Sequence, residues 1–223
     1  YSRNSNSLYL LSENCDRKII EKMLDLAKIL DLKHNIILAS ASPRRKKLLE
    51  QIGLEFKVIA ANIDEDDIKE NDPAKFVVEL ANRKALQVAK SNIESIIIGS
   101  DTTVYLDGKL LNKPNTEKDA YEMLTNLSGK THQVYTGVSL VQYQSEKSKE
   151  FYVRTDVTFR ELGEREKYAY IATGSPMDKA GSYGIQDDFG SVFVEKIVGC
   201  YYNIVGFPLA RFYKEIRDFN DKL

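Results

Sequence analysis

The chain has 223 residues, 43% hydrophobic and 29% charged, a composition typical of folded globular proteins and long enough for one large domain. Its 32 Lys and Arg against 33 Asp and Glu give a net charge of −1, which disfavours a dedicated nucleic-acid-binding protein because such domains usually carry a basic excess. No apolar run approaches the roughly 20 residues needed to span a bilayer, which excludes a transmembrane protein.

Few cysteines and histidines are present, and this limits the possible chemistry. Cys15 and Cys200 form no CxxC pair, which excludes a cysteine-based zinc site and a disulfide framework. His34 and His132 are the only histidines, so a multi-histidine metal site is excluded and we expect His132 to be structural. Residues 1–12 lack the order of regions found in a signal peptide, and we therefore expect a cytoplasmic protein.

The first half alternates between helical and extended patterns. Hydrophobic residues at helical spacing predict a helix over residues 13–32, which with a disordered start forms an N-terminal extension, residues 1–33. Pro43 is suited to the first position of a helix that Gly53 ends. Asp72 and Pro73 begin another helix, which runs to about Lys90. Short apolar runs predict strands at residues 36–39, 56–59 and 96–99.

The second half is richer in strands. A turn at Asp107-Gly108 predicts a hairpin of residues 103–106 and 109–111. Further strands are predicted at residues 131–142, 151–160, 192–197 and 202–205. Helices are predicted at residues 116–127, 163–172 and 208–219. The alternation predicts one α/β domain over residues 34–223, a mixed twisted sheet with flanking helices and two lobes around a cleft.

Two segments point to phosphate and metal chemistry. Ser40 and Ser42 precede a helix that begins with Arg44 and Arg45, and helix N-termini bind phosphate; the alternative is an N-cap followed by a solvated basic face. Asp101 ends an apolar strand, either as a turn cap or as a group aimed into a cleft. The acidic residues 64–67 are a solvated loop or, with Asp101, the oxygen ligands of a divalent cation.

Weaker signals come from a glycine-containing segment and from two lysines. Residues 178–186 carry Asp178, Lys179 and Gln186 around glycines that permit close approach to a ligand, or that only serve a turn. Lys84 lies in a mostly apolar helix, where lysines are usually surface groups, and Lys113 precedes a proline.

Taken in order, these segments resemble the Maf family of nucleoside triphosphate pyrophosphatases, which are related in fold to the inosine triphosphate pyrophosphatases. The resemblance covers about residues 35–218. The matching motifs are Ala39-Ser40-Ala41-Ser42-Pro43-Arg44-Arg45, Ile63-Asp64-Glu65, Gly99-Ser100-Asp101-Thr102, Lys113-Pro114, Leu127-Ser128-Gly129-Lys130-Thr131-His132, Tyr135-Thr136-Gly137-Val138, Asp178-Lys179-Ala180-Gly181-Ser182-Tyr183-Gly184-Ile185-Gln186 and Tyr202-Asn203-Ile204-Val205-Gly206-Phe207-Pro208.

The resemblance implies hydrolysis of a nucleoside triphosphate to the monophosphate and pyrophosphate, with Mg²⁺ or Mn²⁺. It implies that Asp101 is the proton acceptor. Residues at the positions of Arg44, Thr102 and Gln186 match the branch that acts on dTTP and UTP rather than on 7-methyl-GTP. A homodimer is common in the family, which has also been linked to inhibition of septum formation in bacteria.

Within that resemblance the remaining polar residues take roles. Glu65 and Asp101 are the expected metal ligands, with Asp178 as an alternative, and Thr102 and Gln186 read the pyrimidine edge. The expected phosphate-binding residues are Ser40, Ser42, Arg45, Lys84, Lys113 and Lys179.

Two departures from the family pattern leave alternatives open. Asn112 stands where a glycine usually precedes Lys-Pro, and Asp187 and Asp188 add two acids beside the expected base site. These acids either weaken triphosphate binding or recruit metal. They are the feature that favours an alternative function, a nucleotide-binding regulator of cell division with little hydrolysis. A third hypothesis, nucleic-acid binding through residues 44–47, is disfavoured by the net charge of −1.

Overall fold

The structure is a computed structural model that describes residues 25–65, 67–186 and 189–223. In this part of the chain a seven-stranded mixed sheet has the order β2-β1-β3-β5-β6-β7, and β4 pairs with the end of β3. The strands are β1 Ile36–Leu38, β2 Lys57–Val58, β3 Ile96–Leu106, β4 Lys109–Leu111, β5 Thr131–Gln142, β6 Lys147–Phe159 and β7 Val194–Val198. Strands β1, β2 and β3 are mutually parallel, and the other pairings are antiparallel.

Helices lie on both faces of this sheet, as the sequence predicted. They are α1 Leu26–Ile29, α2 Pro43–Gln51, α3 Pro73–Ala89, α4 Glu117–Leu127, α5 Glu164–Ala172, α6 Tyr201–Val205 and α7 Leu209–Asn220. Short 3₁₀ turns occur at Ser175–Asp178, Ala180–Ser182 and Phe189–Phe193. None of the described helices is both long enough and apolar enough to cross a bilayer.

The helix starts follow from their capping residues. The Ser42 hydroxyl accepts from the backbone N–H of Arg45, and Pro43 is the first residue of α2. The Asp72 carboxylate accepts from two backbone N–H groups of α3. Thr116 and Asp119 form a reciprocal capping box at α4. These signals are local, which is why the sequence predicted the three starts correctly.

Two strand predictions were wrong. Residues 202–205, predicted as a strand, form helix α6, because the Gly206 N–H bonds back to the carbonyls of Tyr202 and Asn203 and Gly206 adopts φ 117°. A four-residue apolar run does not distinguish a strand from a short buried helix. The segments predicted as separate strands, 96–99 and 103–106, are one strand of 11 residues, so Asp101 lies within β3 and not at its end.

The predicted N-terminal helix lies mostly outside the described residues. Its described part is α1, where Leu26 and Leu30 are buried against Leu48, Phe212 and Phe219. The backbone N–H of Leu26 also donates to the carbonyl of Gly53 at 3.0 Å. The boundary between residues 33 and 34 stays a prediction.

Helix α3 lies unusually close to the sheet because two glycines face it. A Cβ at Gly99 on β3 would overlap the carbonyl oxygen of Ala81, and one at Gly137 on β5 would overlap the carbonyl of Val77. Gly137 is the cross-strand partner of Asp101. The close approach therefore brings the middle of α3 directly over Asp101.

A notch opens beside β3 because its neighbours are short. Strand β1 pairs with residues 96–98 of β3, and β4 pairs with residues 104–106. Within the described residues, no strand pairs with residues 99–103 on that side. One core cluster lies around β1 and α7, and a second lies around α4 and α5. The notch lies between these two lobes, in agreement with the predicted cleft.

Candidate active site

A cavity of about 580 Å³ occupies the notch, a size that suits a small-molecule ligand. Its lining includes every residue that the sequence analysis placed in the site: Ser40, Ser42, Arg44, Arg45, Glu65, Lys84, Asp101, Thr102, Lys113, Asp178, Lys179 and Gln186. It also includes residues given no role there, among them Tyr183, Ile204 and Gly206.

A lysine flanked by two carboxylates forms the charged centre of the cavity. The Lys84 Nζ lies 2.7 Å from Asp101 Oδ1 and 2.8 Å from Glu65 Oε1. The side chains of Lys84 and Asp101 are 11% and 12% exposed, whereas that of Glu65 is 52% exposed. Lys84 is thus a buried helical lysine, contrary to the usual surface position, because α3 lies so close to β3.

Lys84 is the main reason why Glu65 is ionised. Partial burial by itself raises the pKa of Glu65, but the hydrogen bond and charge of Lys84, followed by the charges of Lys113 and Arg45, outweigh it. The net result is a lowered pKa for Glu65. Glu65 is therefore ionised at neutral pH, and two carboxylates share one ammonium group.

The guanidinium group of Arg45 donates three hydrogen bonds to oxygen atoms of the protein. Its Nε donates to the Gly206 carbonyl at 3.0 Å, its Nη1 to Ser40 Oγ at 3.0 Å and its Nη2 to Thr102 Oγ1 at 3.1 Å. Burial lowers the pKa of its guanidinium. The geometry makes Arg45 a link between α2, the end of β1, β3 and the end of α6, and its phosphate-binding role stays a prediction.

A second ion-pair group lies across the cavity mouth. Arg44 Nη1 donates to Asp178 Oδ2 at 2.9 Å, and Lys179 Nζ donates to Asp178 Oδ1 at 2.8 Å. Lys179 Nζ also donates to the carbonyl of Ser175 at 2.6 Å. Burial raises the pKa of Asp178, but its bonds to Lys179 and Arg44 outweigh this and leave that pKa lowered. Asp178 therefore joins α2 to the segment that carries Gln186.

Asn112, which stands where a glycine is usual in the family, makes two hydrogen bonds that explain why an asparagine is present. Its Oδ1 accepts from Thr103 Oγ1 at 3.0 Å, and its carbonyl accepts from the backbone N–H of Gly181 at 3.2 Å. These bonds tie the segment before Lys113 to β3 and to the 3₁₀ turns. Lys113 and Gln186 are both exposed at the cavity rim, and Asp187 and Asp188 lie outside the described residues.

Thr102 lies on the face of β3 opposite to Asp101, because adjacent strand residues alternate. Its hydroxyl contacts Arg45 Nη2 at 3.1 Å and Thr136 Oγ1 at 2.9 Å. Thr136 Oγ1 donates in turn to the carbonyl of Asn203 at 3.0 Å. Sequence reasoning missed Thr136, although its place directly before Gly137 and opposite Thr102 is set by the β3–β5 register. Thr136 is fully buried and does not line the cavity, so it contacts the site only through Thr102.

The predicted histidine role is confirmed. His132 is fully buried outside the cavity lining, and its Nε2 lies 2.8 Å from the hydroxyl of Tyr183. Desolvation lowers its pKa to about 4, so it is neutral at physiological pH.

The donor set of the charged centre fits a hard divalent cation. Mg²⁺ is normally held by one or two carboxylates together with water and substrate phosphates, and Glu65 and Asp101 converge on one cation, the Lys84 ammonium. The described residues contain no group of three or more His, Cys, Asp or Glu that would form a complete protein cage. This arrangement matches a cation that arrives with a phosphorylated substrate.

Comparisons with known proteins identify the family of this chain. A family model described as "Maf-like protein" matches residues 35–219. A "dTTP/UTP pyrophosphatase" from a strain of Bacillus cereus is 49% identical over 185 residues, which cover 83% of this chain and 95% of the relative. The protein of the same name from Bacillus anthracis is 48% identical with the same coverage.

Among solved structures, a HAM1 protein from Coxiella burnetii is 12% identical with a TM-score of 0.45, covering 83% of this chain and 99% of that chain. The family match spans most of the chain, and the sequence identity to the two Bacillus proteins extends over nearly their whole length. On these grounds the chain belongs to the Maf family.

Proposed function

We propose that this protein hydrolyses pyrimidine nucleoside triphosphates, dTTP, UTP and modified forms of them, to the monophosphate and pyrophosphate. The observation that carries the proposal is the Glu65–Lys84–Asp101 centre inside a cavity whose other walls supply further cations. The name shared by the two Bacillus relatives, dTTP/UTP pyrophosphatase, supports the same reaction. The reaction removes unwanted nucleotides from the pool.

We propose that Asp101 accepts the proton. Water attacks the α-phosphorus, the bond from that phosphorus to the bridging oxygen breaks, and pyrophosphate leaves with the electron pair. The proton lost by the water passes to Asp101, whose Oδ1 also accepts a hydrogen bond from Lys84. The bond to Lys84 keeps this carboxylate oriented toward the cavity.

The basic residues stabilise the charge of the triphosphate. Lys113 and Lys179 line the cavity on the side of the 3₁₀ turns, and Arg44 lies at the start of α2. Ser40 and Ser42 line the same cavity between the end of β1 and the start of α2. Fixed donors of this kind act where charge increases in the transition state, and they need no reorganisation during the reaction.

We propose that Glu65 and Asp101 hold Mg²⁺ or Mn²⁺. When bound, such a cation lowers the pKa of a coordinated water and neutralises phosphate charge. Asp178 is less suited to this role because its two carboxylate oxygens already accept bonds from Arg44 and Lys179.

We also propose that the protein is cytoplasmic and forms a homodimer, as is common in the family.

We propose that Thr102 and Gln186 contact the base. Hydrogen bonds to a polar edge discriminate strongly, because a wrong base leaves buried groups without partners. The methyl group that distinguishes thymine from uracil contributes only ~1–3 kcal/mol in an apolar pocket. We therefore expect dTTP and UTP to be hydrolysed at similar rates.

The first test measures pyrophosphate release from canonical and modified triphosphates, with Mg²⁺, with Mn²⁺ and with a chelator. The Asp101→Asn variant should lose about 100-fold or more in kcat, because it lacks the proton acceptor. Asp107→Asn is the matched control, since Asp107 pairs with Lys130 at the hairpin turn and does not line the cavity.

Three results would contradict the proposal. Full turnover by Asp101→Asn would remove the assigned base. Activity on purines or 7-methyl-GTP alone would remove the specificity residues. Tight dTTP binding without pyrophosphate release would favour the regulatory nucleotide-binding protein.

A further inference from the structure

We infer that Gln87 on α3 is a positioning residue for Glu65, and that it acts through the backbone of Asn62. The inference rests on the proposed function, because it assumes that Glu65 helps to hold a divalent cation. Gln87 is exposed and does not line the cavity, so it acts on the site from outside.

The segment that carries Glu65 has few apolar contacts to hold it. It lies between β2 and α3, and the Glu65 side chain is 52% exposed. None of the residues from Ile59 to Glu65, all of which the structure describes, is buried. Ala61 and Ile63 are only partly buried against the core. Because so little apolar surface opposes local opening, polar contacts must fix the position of Glu65.

Gln87 provides such a contact, because its side-chain amide binds both backbone groups of Asn62. Its Oε1 accepts from the Asn62 backbone N–H at 2.7 Å, and its Nε2 donates to the Asn62 carbonyl oxygen. One residue on a neighbouring β-strand would make the same pair of bonds. Two bonds fix the direction of the Asn62 backbone as well as its position.

The segment runs antiparallel to α3. Three contacts follow one another along it: Gln87 with Asn62, Lys84 with Glu65, and Arg83 with Asp67. Helix residues three or four apart share a face, so one face of α3 supplies all three contacts. The Arg83 contact is the weaker anchor, since Nη1 lies 3.7 Å from Asp67 and Nε is bound to Glu79 at 2.7 Å.

The bonds of Gln87 therefore keep the Glu65 carboxylate near Asp101. Asn62 precedes Glu65 by three residues, a span of about 10 Å even when fully extended, so a fixed Asn62 limits where Glu65 can lie. Mg²⁺ requires near-ideal ligand geometry, and a displaced carboxylate holds it less well. Residues that orient metal ligands commonly contribute about 10- to 100-fold to metal affinity.

The test compares the binding of a UTP analogue by wild type and Gln87→Met. The analogue has nitrogen between the α- and β-phosphorus and is not cleaved there. Methionine keeps the length of the side chain but removes both bonds to Asn62. By isothermal titration calorimetry, the affinity of Gln87→Met for the analogue with Mn²⁺ should fall about tenfold, whereas its affinity with a chelator should stay within about twofold of wild type.

Gln51→Met is the matched control. Gln51 also donates a side-chain hydrogen bond, to the Tyr202 hydroxyl at 3.3 Å, and it does not line the cavity. This variant should leave both affinities unchanged.

Hydrogen exchange tests the contact in the free protein, without metal or nucleotide. Asn62 is exposed, yet its backbone N–H should exchange at least about tenfold more slowly than in an unfolded chain, because Gln87 accepts from it. Gln87→Met should lose this protection, and Gln51→Met should keep it. An unprotected Asn62 N–H in wild type would overturn the inference without any variant.

The binding outcomes separate this inference from the proposed function. Equal wild-type affinity with Mn²⁺ and with chelator would contradict the proposed metal site, and the inference with it. Wild-type binding that depends on Mn²⁺, with unchanged affinities in Gln87→Met, would overturn the inference alone. An equal loss with Mn²⁺ and with chelator would show a general structural role for Gln87 and would also overturn it.

Discussion

Lys84 and Lys167 are both buried helical lysines, yet their surroundings differ. The Lys84 side chain is 11% exposed and contacts two carboxylates, and it lines the cavity. The Lys167 side chain is 4% exposed, and its Nζ lies 2.6 Å from Glu164 and 3.1 Å from the hydroxyl of Thr125. It also lies 4.7 Å from the centre of the Tyr121 ring. Lys167 does not line the cavity.

The difference shows that burial of a lysine does not by itself mark an active site. Lys167 has one carboxylate, one hydroxyl and one aromatic ring, which satisfy a single ammonium group. Around Lys84 two carboxylates, those of Glu65 and Asp101, converge on one ammonium group. Two carboxylates that converge on one ammonium inside a cavity leave oxygen lone pairs for a further cation, and this arrangement is the functional signal.

The largest expected effect follows removal of the Lys84 charge. Lys84→Met should lower kcat by about 100- to 1,000-fold, because Asp101 loses its hydrogen-bond donor and the cavity loses a fixed cation. Steady-state pyrophosphate release measures this effect, and circular dichroism checks the fold. A Lys84→Met protein with near-normal kcat would show that the shared ammonium has no part in the reaction.

His132 adds a third buried ionisable side chain to the comparison of Lys84 and Lys167, and its described contacts include no carboxylate. Its Nε2 contacts the Tyr183 hydroxyl, and its ring packs edge-to-face on Phe159. With its pKa lowered to about 4, folded His132 is neutral where an unfolded histidine begins to bind a proton near pH 6.5. The free energy of unfolding should therefore fall by about 3 kcal/mol as the pH drops from 6.5 to 4.

Denaturant unfolding of His132→Phe across this pH range isolates that contribution. Carboxylates also titrate in the lower part of the range, so the relevant quantity is the difference between wild type and variant at each pH. This difference should change by about 3 kcal/mol, and a pH-independent difference would mean that folding does not lower the pKa of His132.

The sequence predicted which residues line the cavity better than it predicted their contacts with one another. Ser42, Asp72 and Thr116 are local capping signals, and motif order alone brought Asp101 and Glu65 to one cavity. The burial of Lys84 depends on Gly99 and Gly137, which lie far apart in sequence and allow α3 onto the sheet. A long-range packing contact of that kind leaves no local pattern.

The same limit explains the roles of Arg45 and Thr136. An arginine at the start of a helix predicts anion binding, but the three acceptors that surround Arg45 come from residues 40, 102 and 206. The pairing of Thr136 with Thr102 requires the β5 register, which an alternating strand of 12 residues does not specify by itself. The sequence could therefore predict which residues line the cavity, but it could not predict their hydrogen-bond partners.

The smallest expected effect is that of Lys167→Met, the matched control for Lys84→Met. The methionine keeps the contact with the Tyr121 ring but loses the charge, so we expect a loss of about 1 kcal/mol in the free energy of unfolding. The kcat should stay within about twofold of wild type, because α5 carries Lys167 outside the cavity.

The two methionine variants together test whether a pair of carboxylates in a cavity, and not burial, identifies the functional lysine. If Lys167→Met lowered kcat as strongly as Lys84→Met at equal stability, the distinction between the two lysines would be wrong. If only Lys84→Met loses activity, the pair of carboxylates is the deciding feature. A second comparison then follows, because Glu65→Gln removes one carboxylate of the pair while Lys84 keeps Asp101 as its partner.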